Sequence, residues 1–508
     1  MRKHIPAIFV FVPVLVFVLA SRGYASPGEV LFRNAVSLEK KVEYSRALVK
    51  YKEASTQLLK EGRSKLADEC RYASTRIMAI RESYPYTEDQ VRKKIKELYP
   101  KTDARRIDEV MRAGRLPSLV FDGRRNYFYG FTNTLNNLYA DFRFGGEKGA
   151  LGSTEAIVGS IKPYIDVKED LPPGRSLARP ITYVAEGEAV VPRGKLPSKG
   201  ILKVWVPLPL VTAAQQDVEI ISVYPDKYLS YPIRLDGDIA LAYMEIPLEE
   251  IKGDLRIGAE FKFKHYEERF NIDPAKVGAY DKKSDLYRRY TASDRNIRVT
   301  PAIRARANKI AGTETNPYRI AKKFYDHVVH DLDYSYMPHG HLDVLNIPES
   351  VYVLENGIGD CGAQSIYFAA LCRAAGIPAR APGGMQLFPV NEAGAGTHFW
   401  AQFYLPNYGW VPVDTSAGQA IKYLEDVPAG LKRDWIDYFF SKMDPFRYLI
   451  QVDVDVPLIP RPGEPLVFSM VLQMPTAVSR DMYDNPGALL MEAWKIKVRQ
   501  IKNEFAGK

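Results

Sequence analysis

The most informative stretch of the sequence is GIGDCGAQSIYFAALCRAAGIP, residues 357–378, which places a cysteine directly before a run of small and apolar residues. Its first glycines lead to Asp360, a residue type that caps helices, and a glycine and a proline near its end form a helix stop. The residues between are mostly small and apolar, so they predict a buried helix over about 361–375 with Cys361 at its N-terminus. At such a terminus the dipole and the free N–H groups stabilise a thiolate and can hold the oxyanion of an acyl intermediate.

A base for this thiol and an orienting carboxylate follow in a predicted hairpin. HFWAQFYL (398–405) is typical of a strand, PNYG (406–409) of a turn, and WVPVD (410–414) of the return strand. His398 and Asp414 are each eight residues from Pro406, which predicts that they lie roughly opposite each other with their side chains on one face. The carboxylate would fix the imidazole tautomer and the imidazole would face the thiol, as in a Cys-His-Asp triad.

Together these motifs resemble the transglutaminase-like core, over residues 316–416. The resemblance is carried by GDCG (359–362) followed by LCRAAGIPAR (371–380), by HFW (398–400) and by GWVPVDT (409–415). It implies an α+β fold of papain type, in which a helix carrying Cys361 packs on an antiparallel sheet carrying His398 and Asp414 as the catalytic residues. No Trp follows Cys361, unlike in the animal cross-linking enzymes, and this argues against a strict cross-linking role.

The whole chain predicts an α+β multidomain protein, in which an N-terminal helical region and an all-β, immunoglobulin-like sandwich precede this core. The predicted parts are a signal peptide (1–25), a helical region (26–145), a linker (146–179), the sandwich (180–270), the catalytic core (290–420) and a C-terminal extension with strands and a terminal helix (421–508).

Local patterns refine three of these parts. The helical region begins with either a tetratricopeptide-type unit or a plain helical hairpin, and its Asp122-Gly123 turn predicts a winged-helix-like hairpin. In the sandwich, residues 233–246 predict a strand pair. In the extension we expect strands near 447–456 and 466–474, then a charged helix over 486–503.

The first 25 residues have the pattern of a secretory signal peptide. A basic start precedes an apolar run from Ile8 to Ala20, and small residues flank a cleavage position after Ala25. An uncleaved anchor is the alternative, but the run is short for a membrane span and Pro13 interrupts it. Because no second long apolar run follows, we expect an exported, periplasmic or extracellular protein without a membrane span.

Charge and cysteine usage exclude two classes of protein. Cleavage of the first 25 residues would lower the net charge from +9 to +6, a mild positive excess that predicts a solvated face. No basic run is interleaved with stacking aromatics, as it is in proteins that bind nucleic acids. The three cysteines do not form a disulfide framework. Cys361 and Cys372 would lie about 16 Å apart on one helix, and Cys372 is expected to be an inert core residue.

Further side chains are weaker candidates for a site. Trp400, Trp410 and Tyr404 on the hairpin are tentative substrate contacts, with core packing as the alternative. Arg380 could bind a substrate carboxylate or make a structural contact. Residues 331–343 include two His and several Asp, but without a Cys partner or helical spacing they do not predict a metal site.

The motifs predict a cysteine-dependent acyl transfer that needs no cofactor. Water would resolve the thioester in a peptidase or amidase, and a Lys amine in a transglutaminase; water is abundant outside the cell, which favours hydrolysis. An envelope protein or a peptidoglycan peptide is the expected substrate. The alternative is a non-catalytic envelope scaffold or protein-binding module that retains the fold.

Overall fold

The computed structural model describes residues 25–142, 154–167, 171–172, 174–387, 395–424, 426–463, 466, 470–480, 482 and 486–505. Apart from Ala25, the predicted signal peptide lies outside these residues. Within the part of the chain that is described, no helix is both long enough and apolar enough to cross a membrane.

Helices occur in the N-terminal third, in the core and near the C-terminus. They are α1 (Pro27–Lys40), α2 (Tyr44–Lys60), α3 (Ser64–Ser83), α4 (Glu88–Leu98), α5 (Ala104–Ala113), α6 (Phe131–Leu138), α7 (Thr154–Asp166), α8 (Asp285–Thr291), α9 (Pro301–Ala311), α10 (Pro317–Asp331), α11 (His339–Val344), α12 (Glu349–Asn356), α13 (Cys361–Ala374), α14 (Thr415–Ala420), α15 (Ala429–Tyr438) and α16 (Pro486–Ala493).

Strands form small sheets that are antiparallel except for one two-stranded parallel pair. They are β1 (Tyr86–Thr87), β2 (Ser118–Phe121), β3 (Arg124–Tyr127), β4 (Leu177–Val191), β5 (Ile201–Pro207), β6 (Gln215–Tyr224), β7 (Leu241–Pro247), β8 (Leu255–Arg269), β9 (Asp333–Tyr334), β10 (Ile358–Gly359), β11 (Ala379–Arg380), β12 (Gly383–Leu387), β13 (Ala395–Phe399), β14 (Ala401–Leu405), β15 (Gly409–Val413), β16 (Lys442–Met443), β17 (Arg447–Gln451), β18 (Thr476–Val478) and β19 (Trp494–Asn503).

The N-terminal region is helical, as predicted. A third helix, α3, follows the two helices of the expected helical hairpin. Helices α1, α2 and α3 share a core of small and aromatic residues that includes Ala47 and Tyr51. The predicted β-hairpin is confirmed: β2 and β3 are joined by Asp122 and Gly123, both with positive φ (51° and 75°), as a tight two-residue turn requires.

The predicted linker is wrong in part, because α7 lies inside it. Ile161, Tyr164 and Ile165 of this helix are buried in the main core. Their spacing of three and four residues gives the helix one apolar face, a pattern that the flanking glycines and prolines obscured.

Two antiparallel sheets follow the N-terminal region. One has the order β16-β8-β4-β19, with β6 also paired to β8, and the other has the order β18-β5-β7. The predicted strand pair over 233–246 is reduced to a single bridge between Arg234 and Leu241, the first residue of β7. The immunoglobulin-like outline of this sandwich stays a prediction.

The predicted boundary of the C-terminal extension is wrong, because its strands complete the earlier sheets. β16, β18 and β19 belong to the sandwich, and β17 pairs with β12 in the core. The predicted terminal helix ends at Ala493 and continues as β19, where Trp494, Ile496 and Val498 alternate with exposed basic residues. Residues 470–474 form no strand, and β18 begins at Thr476 instead.

The core consists of α9, α10 and α13 packed against two three-stranded sheets, β11-β14-β15 and β13-β12-β17. Helix α13 is the central element, since residues 362–374 are all buried. Only its first residue, Cys361, is partly exposed.

Candidate active site

Cys361 begins α13, as the sequence predicted, and the local contacts explain its position. The Asp360 carboxylate caps the helix, with Oδ1 accepting a hydrogen bond from the N–H of Ala363 at 3.0 Å. A side chain at Gly362 would lie 3.2 Å from the ring of Phe399 in β13. The glycine therefore lets the start of the helix approach the strand that carries His398.

His398 and Asp414 are in contact, with Nε2 and Oδ2 separated by 2.8 Å. The predicted contact is therefore confirmed. Asp414 is completely buried and caps α14, since its Oδ1 accepts a hydrogen bond from the N–H of Ala417 at 2.9 Å. This cap fixes the carboxylate while its second oxygen faces the imidazole.

The register predicted for this contact is wrong. Tyr404 pairs with Trp410, so the turn is centred on Asn407, which has a positive φ of 74°, and not on Pro406. The strand also breaks at Trp400, and His398 pairs with Gly384 in the other sheet. His398 thus reaches Asp414 from a different sheet and not across one hairpin.

The thiol of Cys361 lies next to the segment that carries the imidazole. The backbone N–H of Phe399, the residue after His398, lies near enough to the Cys361 thiol to lower its pKa, and the Phe399 ring lies against Gly362. Because Nε2 of His398 is directed to Asp414, Nδ1 is the ring nitrogen that remains for the thiol. The three predicted residues are thus brought to one location.

The electrostatic environment of Cys361 differs from the predicted one. Burial and the adjacent Asp360 carboxylate raise the pKa of the thiol, and the N–H groups of Phe399 and Gly362 offset this only in part. The resting site therefore favours the protonated thiol, contrary to the thiolate that we expected from the helix terminus. A base is needed to activate it.

Asp414 is held in its ionised form. Burial raises the pKa of this carboxyl, but the charge and hydrogen bond of His398 and the charge of Arg447 outweigh burial and keep the pKa below its ordinary range. Nη1 of Arg447 donates to Oδ2 of Asp414 at 2.9 Å, and the guanidinium also pairs with the buried Asp444.

Sequence reasoning missed the contribution of the C-terminal part to this site. Arg447 comes from β17, and Gln473 donates from Nε2 to the carbonyl oxygens of His398 (2.7 Å) and Gly384 (2.8 Å). Neither residue belongs to a motif, and no signal in a single sequence indicates these pairings.

A partly buried imidazole that contacts Asp360, the residue before Cys361, was also missed as part of the site. His339 lies between two carboxylates, with Nδ1 2.8 Å from Oε1 of Glu349 and Nε2 2.7 Å from Oδ2 of Asp360. Burial alone would lower the pKa of His339. The two carboxylates outweigh burial, so the pKa lies well above its ordinary value. The imidazolium neutralises part of the negative charge beside Cys361.

The polar side chains of residues 339–343 point to separate partners. Nδ1 of His341 lies 2.8 Å from the Tyr84 hydroxyl, whereas Asp343 pairs with Arg295. In the described part of the chain, no three His, Cys, Asp or Glu side chains are grouped as metal ligands would be.

The tentative substrate contacts have structural partners. Trp400 is 3% exposed and its ring lies 5.2 Å from Cζ of Arg447, so it supports the site from behind and presents no surface to a substrate. Trp410 stacks on Arg380 at 4.1 Å, and Tyr404 packs against Trp410 at 5.5 Å. Arg380 accordingly makes a structural contact, the second of its two predicted roles.

Comparison with known proteins identifies the core. Residues 304–415 match the family model of the transglutaminase-like superfamily, so this chain contains a transglutaminase-like core. The chain is also 28% identical over 259 residues to an uncharacterized protein from Haemophilus influenzae, a match that covers 45% of this chain and 66% of that protein, just under two thirds of its length.

Two solved structures show remote similarity. A protein from Cytophaga hutchinsonii described as a candidate cysteine protease is 12% identical, with 64% of this chain and 92% of that chain covered and a TM-score of 0.38. The periplasmic domain of TgpA from Pseudomonas aeruginosa is 13% identical, with 50% and 98% covered and a TM-score of 0.26.

Proposed function

We propose that this protein is a cysteine-dependent acyl-transfer enzyme that acts on peptide or isopeptide amides, with Cys361, His398 and Asp414 as its triad. The observation that carries the proposal is the contact of Asp414 with His398, together with the position of the next residue, Phe399, beside the start of the helix that carries Cys361. The match to a transglutaminase-like core over these residues supports it.

In the proposed reaction, His398 acts first as a base. Nδ1 takes the proton of the Cys361 thiol as the sulfur attacks the amide carbonyl, and Asp414 stabilises the imidazolium that forms. The negative oxygen of the tetrahedral intermediate lies at the N-terminus of α13, where backbone N–H groups are available. His398 then gives its proton to the leaving amine, and a thioester on Cys361 remains.

Water or an amine resolves this thioester. With water, His398 removes a proton from the attacking molecule and the sulfur leaves, which gives a carboxylic acid and the free thiol; with a Lys amine, the product is an isopeptide bond. We propose hydrolysis, because water is abundant at the exported location that residues 1–25 predict. The proposed substrates are envelope proteins or peptidoglycan peptides.

One observation favours the alternative, a non-catalytic scaffold or protein-binding module. Burial and Asp360 raise the pKa of the Cys361 thiol, and a scaffold needs no reactive thiol. The contact between His398 and Asp414 favours the enzyme, because a scaffold has equally little need for an oriented imidazole.

The proposal is tested by incubating the protein with a complex peptide library and a fluorescent primary amine, with mass spectrometry of the products. We expect new carboxyl termini that disappear in Cys361→Ala, and few amine adducts. Adducts in place of new termini would change the assignment to a transglutaminase. Identical products from the protein and from Cys361→Ala would overturn the enzymatic proposal.

A further inference from the structure

The N-terminal helical region contacts the polypeptide segment that runs beside Cys361. The hydroxyls of Thr134 in α6 and Ser335 lie 2.5 Å apart. The N–H of Tyr336 donates to Oδ1 of Asn133, also in α6, at 3.0 Å. This region lies outside residues 304–415, the part that matches the family core, and it is nevertheless attached to the site.

The backbone register brings Tyr336 to the level of the thiol. β9 pairs in parallel with β10, with Tyr334 beside Gly359, and the N–H of Ser335 donates to the Gly359 carbonyl at 3.2 Å. Two residues beyond each member of that pair are Tyr336 and Cys361. Burial raises the pKa of the Tyr336 phenol, and Cys361 is the first of the neighbouring groups that add to it.

A second tyrosine, from the N-terminal region, lies beside Tyr336. Tyr129 precedes Gly130, and a side chain at Gly130 would lie 3.3 Å from Cβ of Tyr336, so the two backbones are in close approach. The Tyr129 ring packs at 4.5 Å on the buried ring of Phe128, which limits its freedom. The Tyr129 side chain is nevertheless 56% exposed, and that of Tyr336 is 41% exposed.

Single exposed aromatic residues are common on protein surfaces. This pair differs because it lies beside Cys361 and because both residues are of a type that binds peptides well. The two tyrosines come from distant parts of the sequence, and their backbones approach each other beside the candidate nucleophile. The tyrosine ring offers a large, rigid apolar surface and loses little side-chain entropy on binding, and its hydroxyl can form a hydrogen bond with a peptide backbone. Such residues dominate the energetics of many binding sites.

We infer that Tyr129 and Tyr336 form a substrate subsite that binds a bulky apolar side chain of the acyl-donor peptide. The inference rests on the proposed function of Cys361 and extends it to a substrate class. The N-terminal helical region then determines specificity, and the enzyme prefers amides that follow aromatic or large aliphatic residues.

The test compares the alkylation of Cys361 by a small and by a peptidyl reagent, read by mass spectrometry. Iodoacetamide reports the reactivity of the thiol alone, and Ala-Ala-Phe chloromethyl ketone reports reactivity together with binding. We expect the ratio of the two rate constants to fall about tenfold in Tyr129→Ala and in Tyr336→Ala. Tyr129→Phe keeps the ring and is expected to keep the ratio.

Tyr231→Ala is the matched control, since Tyr231 is 55% exposed and packs on Tyr243 in the sandwich. It should leave the ratio unchanged. The subsite is refuted if both alanine variants keep the ratio of the unaltered protein. It is also refuted if the rate constant for Ala-Ala-Ala chloromethyl ketone falls as much as that for the Phe reagent. Neither outcome refutes the proposed function. If iodoacetamide does not react at Cys361 in a His398-dependent manner, the proposed function fails and the subsite fails with it.

Discussion

Nη1 of Arg447 and Nε2 of His398 are bound to the same carboxylate oxygen, Oδ2 of Asp414, at 2.9 and 2.8 Å. Arg447 is 1% exposed and Asp414 is completely buried. A buried carboxylate needs a compensating charge, and here the guanidinium provides one whatever the protonation state of the imidazole. His398 can therefore give and take a proton beside an Asp414 that stays ionised.

Removal of the guanidinium should be costly to stability. Arg447→Met leaves Asp414 and Asp444 buried without their common partner, and we expect the free energy of unfolding to fall by about 3–5 kcal/mol in urea denaturation. The control Arg256→Met breaks the exposed ion pair with Glu188, and we expect it to cost less than about 1 kcal/mol. Equal losses in the two variants would contradict the structural role assigned to Arg447.

His339 should contribute stability that depends on pH. Its pKa is raised in the folded protein, so its contribution is complete below the unfolded-state pKa of about 6.5 and is lost as the pH rises through the folded-state pKa. We therefore expect His339→Gln to reduce the free energy of unfolding more at pH 6 than at pH 9, with a slope of at most roughly 1.4 kcal/mol per pH unit.

The measurement for His339 is urea denaturation at both pH values. A loss for His339→Gln that does not vary with pH would show that the imidazole is not held as a cation.

Trp400 should behave as a core residue. Because its side chain is almost completely buried against Arg447, Trp400→Ala is expected to lower the free energy of unfolding by about 3–5 kcal/mol. Trp410 is partly exposed, so Trp410→Ala should lower the free energy of unfolding by less. If Trp400→Ala unfolded like the unaltered protein and changed only KM, Trp400 would be a substrate contact after all.

The three cysteines should differ in reactivity. Cys70 and Cys372 are buried, and burial raises the pKa of both thiols, to about 12 for Cys70. We expect the native protein to react with a disulfide reagent at one thiol per chain, Cys361, and the urea-unfolded protein at all three. Modification of Cys372 in the native state would contradict the packing of α13.

The parts of the site that the sequence predicted are those with local signals. The capping residue Asp360, the apolar run after it and the stop near Gly376 define α13 without any distant contact. The contact between His398 and Asp414 was predicted correctly but from the wrong register, because the turn position and the strand break at Trp400 depend on pairing with β12.

The parts that were missed depend on contacts between distant positions. Arg447 meets Asp414 across 33 residues, and β19 pairs with β4 although more than 300 residues separate them. Hydrophobic periodicity predicts that a segment is a strand but not which strand it joins. The alternation from Trp494 to Val498 was misread as part of a charged helix because basic residues fill the exposed positions.

If His398 activates Cys361, the alkylation of Cys361 by iodoacetamide should depend on pH in a way that requires the imidazole. The protein is compared with His398→Ala, and Cys361→Ser is the blank. We expect alkylation at pH 7 to be at least about tenfold faster with His398 present, whereas the variant reacts only at high pH, since burial and Asp360 raise the pKa of its thiol. Identical profiles for the protein and for His398→Ala would show that His398 does not activate the thiol and would favour the non-catalytic scaffold.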